Sequence, residues 1–143
     1  MDSIINYTLK QKNFVLLNTE VRKIAKQFYS NSITQIFVKN EFDEIVGLIN
    51  RKVIFKYISE GFELQKLKAE DIMIKDFFKI DKNISLEDCY DIFAKTRYNT
   101  IPVFDIDENK LIGSVNRKMI NKEKNKFKKL KIYNLEDRLK TIK

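Results

Sequence analysis

Leu111-Ile112-Gly113-Ser114-Val115-Asn116-Arg117-Lys118-Met119-Ile120 has a second version sixty-six positions earlier, Ile45-Val46-Gly47-Leu48-Ile49-Asn50-Arg51-Lys52-Val53-Ile54. The glycine, the Asn-Arg-Lys triplet and the closing isoleucine are identical, and apolar character is kept at all but one of the remaining positions. A match of this length marks an internal duplication, and a repeat period governs every later reading because it defines the structural unit.

Outward from the repeated stretch, the two halves show one order of elements. Phe14-Val15-Leu16-Leu17 has strand length, and Asn18-Thr19 offers capping chemistry ahead of a run in which Val21, Ile24, Ala25 and Phe28 share a helical face. Ile36-Phe37-Val38 and Ile45 to Ile49 then read as an antiparallel pair, Asn50 caps a second helix through Val53, Ile54, Tyr57 and Ile58, and Gly61 stands where that helix stops. In the second half, Phe77-Phe78-Lys79-Ile80 reads as a strand and Ser85-Leu86-Glu87-Asp88 as a capped helix start, with Leu86, Cys89, Tyr90 and Phe93 on the inner face. Ile101 to Phe104 and Leu111 to Val115 are the next strands, and a basic helix opens near Arg117. Pro102 has no amide hydrogen, which predicts a strand start or an edge. The expected fold is α+β, two β-α-β-β-α repeats over residues 1–66 and 67–122 packed as a pseudo-twofold pair, with a basic tail over residues 123–143.

The chain has 143 residues and a net charge of +8, with one cysteine and no histidine. Residues 1–116 hold 17 basic and 17 acidic side chains, whereas residues 117–143 hold 11 and 3, so the whole excess lies at the C-terminal end. No run of eighteen apolar residues and no basic flank followed by an apolar stretch is present, so neither a membrane span nor a secretory signal is expected, and the cytoplasm is the expected location. The absence of histidine removes Ser-His and Cys-His nucleophilic pairs and His-ligated metals. Three glycines exclude a Walker loop and a dinucleotide fingerprint. Asp105-Ile106-Asp107-Glu108-Asn109 begins like a calcium loop, but Lys110 and Asn116 stand where Gly and Glu are needed, which leaves a hairpin turn. Cys89, on an apolar helix face, reads as a buried, inert thiol.

The residues of the second half carry a resemblance. Ala69-Glu70-Asp71-Ile72-Met73, Asn83 to Asp88, Ile101-Pro102-Val103-Phe104-Asp105 and Leu111 to Val115 look like the entry, helix start and paired strands of a cystathionine-β-synthase-type (CBS) domain, and the first half resembles the same unit more loosely. The resemblance covers about residues 4–122 and implies a tandem pair that is regulatory and not an enzyme. It also implies a homodimer with AMP, ATP or S-adenosylmethionine as regulatory ligand between the units, no required cofactor, and a regulated partner protein.

Carried over residue by residue, the implied ligand contacts are Phe77 and Phe78 on the first strand of the second unit, Asn99, Thr100, Ile101 and Pro102 before and within its second strand, and Asn116, Arg117 and Met119 at its corner. In the first unit they are Gln35, Ile36, Asn50, Arg51 and Val53. In such families the corner motif runs Gly, two apolar residues, Thr or Ser, two variable residues and an Asp that holds the ribose hydroxyls. Here Asn50 and Asn116 take the hydroxyl position, and Val53 and Met119 take the Asp position. Neither a thioether nor an isopropyl group replaces a carboxylate that accepts two hydroxyl protons. Arg51 and Arg117 read either as phosphate contacts near a helix N-terminus or as solvated first-turn residues, and the asparagines either as ligand groups or as caps.

Two readings of other classes stay open. Lys122, Lys124, Lys126, Lys128, Lys129 and Lys131 interleave with Phe127, Leu130, Ile132 and Tyr133, a pattern that serves nucleic acid or an acidic partner, or a solvated helix. Leu135, Leu139 and Ile142 suit packing across a dimer. Alternatively the module is structural, its clefts filled by Phe77, Phe78 and Met119.

Overall fold

The structure, a computed structural model, describes residues 3–126. These form two compact units: one is Gln11–Phe78, and the other joins residues 3–10 to residues 79–126. Each repeats one topology.

In the first unit, β1 (Phe14–Leu16), α1 (Val21–Ser30), β2 (Gln35–Lys39), β3 (Ile45–Asn50) and α2 (Arg51–Ser59) follow in order. The sheet order is β1-β2-β3, β1 parallel and β3 antiparallel to the central strand. The helix-periodic residues Val21, Ile24 and Phe28 are buried against Ile36, Val38, Ile49 and Ile54 in one core. α1 opens one residue later than the Asn18-Thr19 reading placed it: Glu20 is the N-cap without a side-chain bond, and the Thr19 hydroxyl instead accepts the Leu16 amide at 3.1 Å. α2 ends as expected at Gly61, whose φ of 87° lets the Gly61 and Phe62 amides reach the carbonyls of Ile58 and Tyr57.

Residues 64–74 belong to this unit although the sequence division at residue 67 assigns most of them to the second. Ala69 and Ile72, on the short α3 (Ala69–Ile72), are buried in the first core, and the Val21 amide donates to Leu67 at 2.9 Å. Ile74 and Leu48 exchange backbone bonds of 2.8 and 3.0 Å, which covers the outer edge of β3.

The second unit contains β4 (Ile80–Asp81), α4 (Leu86–Lys95), β5 (Thr100–Asp105) and β6 (Lys110–Asn116), with order β4-β5-β6, followed by helical residues 117–126. Its core holds Ile80, Cys89, Phe93, Ile101, Val103, Val115 and Ile120, together with Ile4 from the chain start. Residues 3–10 therefore act as a strap: the Ile4 amide donates to Ile84 at 3.0 Å, and Leu9 and Ser114 exchange bonds of 2.8 and 2.9 Å along the outer edge of β6.

Two strand expectations need correction, and one residue explains both. Pro102 lies inside β5, the central strand, opposite Ser114. Ser114 turns its amide and carbonyl outward to Leu9, so the nitrogen of Pro102 points toward the β4 side. At the equivalent place in the first unit the Phe37 amide donates to the Asn13 carbonyl at 3.1 Å, a bond that proline cannot make. Pairing with β4 accordingly starts one residue further on, at Ile80 with Val103, so the strand read over 77–80 is reduced to Ile80–Asp81. Phe77 packs edge-on against Phe37, with ring centres 5.9 Å apart, inside the first unit.

Asp81 and Asp105 brace the start of the β5–β6 turn. The amides of Ile106 and Asn83 hold the Asp81 carboxyl below its ordinary value, and the Lys82 ammonium, 2.9 Å away, does the same for Asp105. Because the folded values are lowered, this contribution is present above the ordinary carboxylate range and is lost as pH falls through the folded values.

Candidate functional site

The duplicated stretch makes two equivalent strand-to-helix corners. Register places Gln35 opposite Asn50 in one and Thr100 opposite Asn116 in the other. The structure thus brings Gln35 and Ile36 beside Asn50, Arg51 and Val53, and Asn99, Thr100 and Ile101 beside Asn116, Arg117 and Met119. Phe77 and Phe78 fall in the compact unit of the first corner.

Both asparagines are helix caps. Asn50 Oδ1 accepts the Val53 amide at 2.9 Å, and Asn116 Oδ1 accepts the Met119 amide at 2.8 Å. The residue whose amide is capped is in each case the one at the Asp position, so the corner keeps its shape without a carboxylate. Val53 and Met119 are half-buried. Ile36, Ile101 and Pro102 are buried strand residues, and Asn99 gives its carbonyl to the Arg117 amide at 2.8 Å.

The arginines differ. Arg117 Nη1, Nη2 and Nε donate to the carbonyls of Phe93, Thr96 and Tyr98 at 2.6, 2.7 and 2.9 Å, and its guanidinium carbon lies 5.3 Å from the Phe93 ring centre. It therefore binds carbonyls at and beyond the C-terminus of α4, where the helix dipole is negative. A guanidinium has five N–H donors, and these bonds turn its fork into the protein and away from a phosphate. Arg51, the matching residue, is exposed and makes a single long bond of 3.4 Å to the Phe28 carbonyl.

Arg51 also lines a feature the sequence reading missed, an open groove of about 450 Å³ between α1 and α2. Phe28 and Ile54 are buried beneath it, while Tyr29, Phe55 and Ile58 are 93%, 64% and 48% exposed. The signal lay in Phe55 and Ile58, three residues apart with Tyr29 large and apolar on the neighbouring helix. In the second unit the matching place is covered: Lys124 lies 5.3 Å over the Tyr90 ring and 4.0 Å from Glu87.

Among the described residues no group of three or more His, Cys, Asp or Glu is placed to hold a metal, and no helix is long and apolar enough to cross a membrane. Cys89 is buried, and burial pushes its thiol from 9.0 up to about 11. The native thiol is expected to resist iodoacetamide at pH 8 and to react once urea unfolds the chain. Its raised folded value also means that the unfolded chain loses this proton first, so stability contributed below pH 9 declines as pH rises toward 11. Alkaline melts of wild type against Cys89→Ala check this: the wild type should lose relatively more. The lysine-rich segment from Phe127 onward, with Leu135, Leu139 and Ile142, lies outside the described residues.

Residues 69–125 match the CBS domain. The chain is 27% identical over 94 residues to the uncharacterized protein MK0525 of Methanopyrus kandleri, covering 65% of this chain and 47% of that one. It spans less than half the length of the curated relatives it matches. Its fold is similar to an uncharacterized conserved protein of Pyrococcus horikoshii, with a TM-score of 0.74 and 20% identity over 87% of this chain and 95% of that one. It is also similar to CBSX2 of Arabidopsis thaliana solved in complex with AMP, with a TM-score of 0.70 and 19% identity over 88% and 98%.

Proposed function

We propose that this chain, which carries a CBS domain and has the fold of a CBS-domain pair, is a non-catalytic regulatory module that acts as a homodimer, takes its input from a partner protein, and does not grip a ribose. The observation that carries this reading is the chemistry of the two corners. Val53 and Met119 stand where a ribose-binding acid is required, Asn50 and Asn116 spend their side-chain oxygens on capping, and Arg117 is engaged with carbonyls. The non-catalytic part rests on the family and on the lack of histidine. The AMP complex of CBSX2 makes adenine nucleotides the ligands to test first.

Thermal melts with AMP, ATP and S-adenosylmethionine test the reading. A ligand at about a hundred times its dissociation constant stabilises a protein by roughly 2.7 kcal/mol. The expected result is no upward shift with any of the three at millimolar ligand, and a clear shift overturns the proposal. Light scattering on the purified chain checks the homodimer.

A further inference from the structure

The two repeats give a comparison within one molecule, and it singles out the groove between α1 and α2. α1 and α4 have ten residues each, and position by position Ala25 and Tyr29 of α1 correspond to Tyr90 and Ala94 of α4. At the sixty-six-residue offset of the duplicated stretch, Phe55 and Ile58 of α2 correspond to Asn121 and Lys124. The second unit therefore keeps the same topology with a tyrosine in place of the hollow and polar residues in place of two of the exposed apolar ones. Tyr29, Phe55 and Ile58 are not exposed because the fold needs them there, and large apolar side chains grouped on a surface mark a contact site.

The charge around the groove selects what it takes. α1 and α2 contribute Arg22, Lys23, Lys26, Arg51, Lys52 and Lys56 and no carboxylate. Arg22 stands 3.7 Å from Glu20, whereas among the described residues Lys23, Lys26, Arg51 and Lys52 have no ion pair. Lys26 precedes Tyr29 by one helical turn, Lys52 precedes Phe55 in the same way, and Arg51 lines the groove itself, so cations flank the apolar residues on both helices. A second copy of this face would oppose like charges. A small ligand would stay largely in water between walls this open. A bilayer surface is flat, whereas Phe28 and Ile54 form a floor below the rim, and a nucleic-acid strand would lay phosphates along Ala25, Ile54 and Ile58.

We propose that the α1–α2 groove docks an acidic amphipathic helix of the regulated partner protein. Apolar residues of that helix, three and four positions apart, enter between Tyr29, Phe55 and Ile58, and its carboxylates meet Lys26, Arg51 and Lys52. Arg51, held by one long bond of 3.4 Å, has donors left for a carboxylate. The inference rests on the partner input proposed above and gives it a place.

Peptide display against the full chain, with a random-sequence library as probe, tests it. Recovered peptides should be net acidic with large apolar residues at helical spacing, and their affinity, read by fluorescence anisotropy, should fall as salt rises. Lys26→Glu with Arg51→Glu should weaken a recovered peptide about tenfold or more, and so should Phe55→Ser with Ile58→Ser. A peptide whose carboxylates are replaced by lysines should prefer the Lys26→Glu/Arg51→Glu chain to the wild type, a preference that unfolding cannot produce. Neutral or basic peptides, or acidic ones that neither double variant affects, overturn the docking site and leave partner input through another surface standing. No recovered peptide overturns the site as well, as does retention of the wild type by phosphatidylserine vesicles or single-stranded RNA in place of acidic peptides. A shift with AMP in the melts above overturns the functional reading without altering any of these outcomes.

Discussion

Arg117→Ala should lower the stability of the protein by about 3 kcal/mol, with a fall of roughly 10 °C in melting temperature. The residue lies at a point where three backbone carbonyls, those of Phe93, Thr96 and Tyr98, converge. Alanine strips all three of a charge-assisted partner, two of them in part-buried surroundings. Removing one partner of a buried polar contact costs more than the bond itself contributes, because the group left behind has also lost its water. Arg117→Lys should recover only part of the loss, since an ammonium on a flexible stem cannot span three divergent acceptors as a planar fork does. Arg51→Ala provides the control. That side chain is exposed with one bond of 3.4 Å, so its replacement should stay within about 0.5 kcal/mol. Urea melts of the three variants check the contrast, and an Arg51 effect equal to that of Arg117 would contradict it.

Gly113→Ala is the second large effect, expected at about 2–4 kcal/mol. A Cβ at this position would run into the Leu9 carbonyl oxygen and come within 2.8 Å of the Thr8 methyl group. The obstacle is backbone, held by the two bonds between Leu9 and Ser114, so relief requires the strap of residues 3–10 to move. Moving it loosens Ile4, which is fully buried in the second core. Gly47→Ala meets the Met73 side chain instead, its sulfur 2.5 Å from the added carbon. The sulfur and Cγ can swing aside, but the Met73 Cβ, 2.8 Å away, moves only with its backbone, so the cost there should be about 1–3 kcal/mol. Hydrogen exchange at Leu9 and Ser114 should accelerate in Gly113→Ala and stay slow in Gly47→Ala.

Elements governed by local chemistry were legible in the sequence. The apolar spacing of Val21, Ile24 and Phe28, the caps Asn50 and Ser85, and the stop at Gly61 all act within one or two turns of chain. Elements governed by distant partners were not. The two Asn-Arg-Lys triplets are identical, yet Arg117 is tied to three carbonyls and Arg51 to one, a difference set by how each preceding helix ends. Phe77 reads as part of the second repeat but packs on Phe37, because the connecting chain covers the edge of β3 before the second unit begins. The shortening of β4 follows from Pro102 only when the Phe37 bond to Asn13 is seen. At the corners, the missing carboxylates are plain in the sequence, while the capping bonds that occupy both asparagines depend on the strand-to-helix geometry.

The proposed function holds that these two corners, which have the fold of a CBS-domain pair, do not grip a ribose. Calorimetric titration of AMP into the wild-type chain and into the double variant Val53→Asp/Met119→Asp tests it most directly. We expect no measurable heat of binding for the wild type and at least about tenfold tighter binding once the carboxylates are present, because charge-assisted bonds to two hydroxyls exceed the roughly 1.4 kcal/mol that tenfold requires. Saturable binding of AMP by the wild type, unchanged in the double variant, would contradict it.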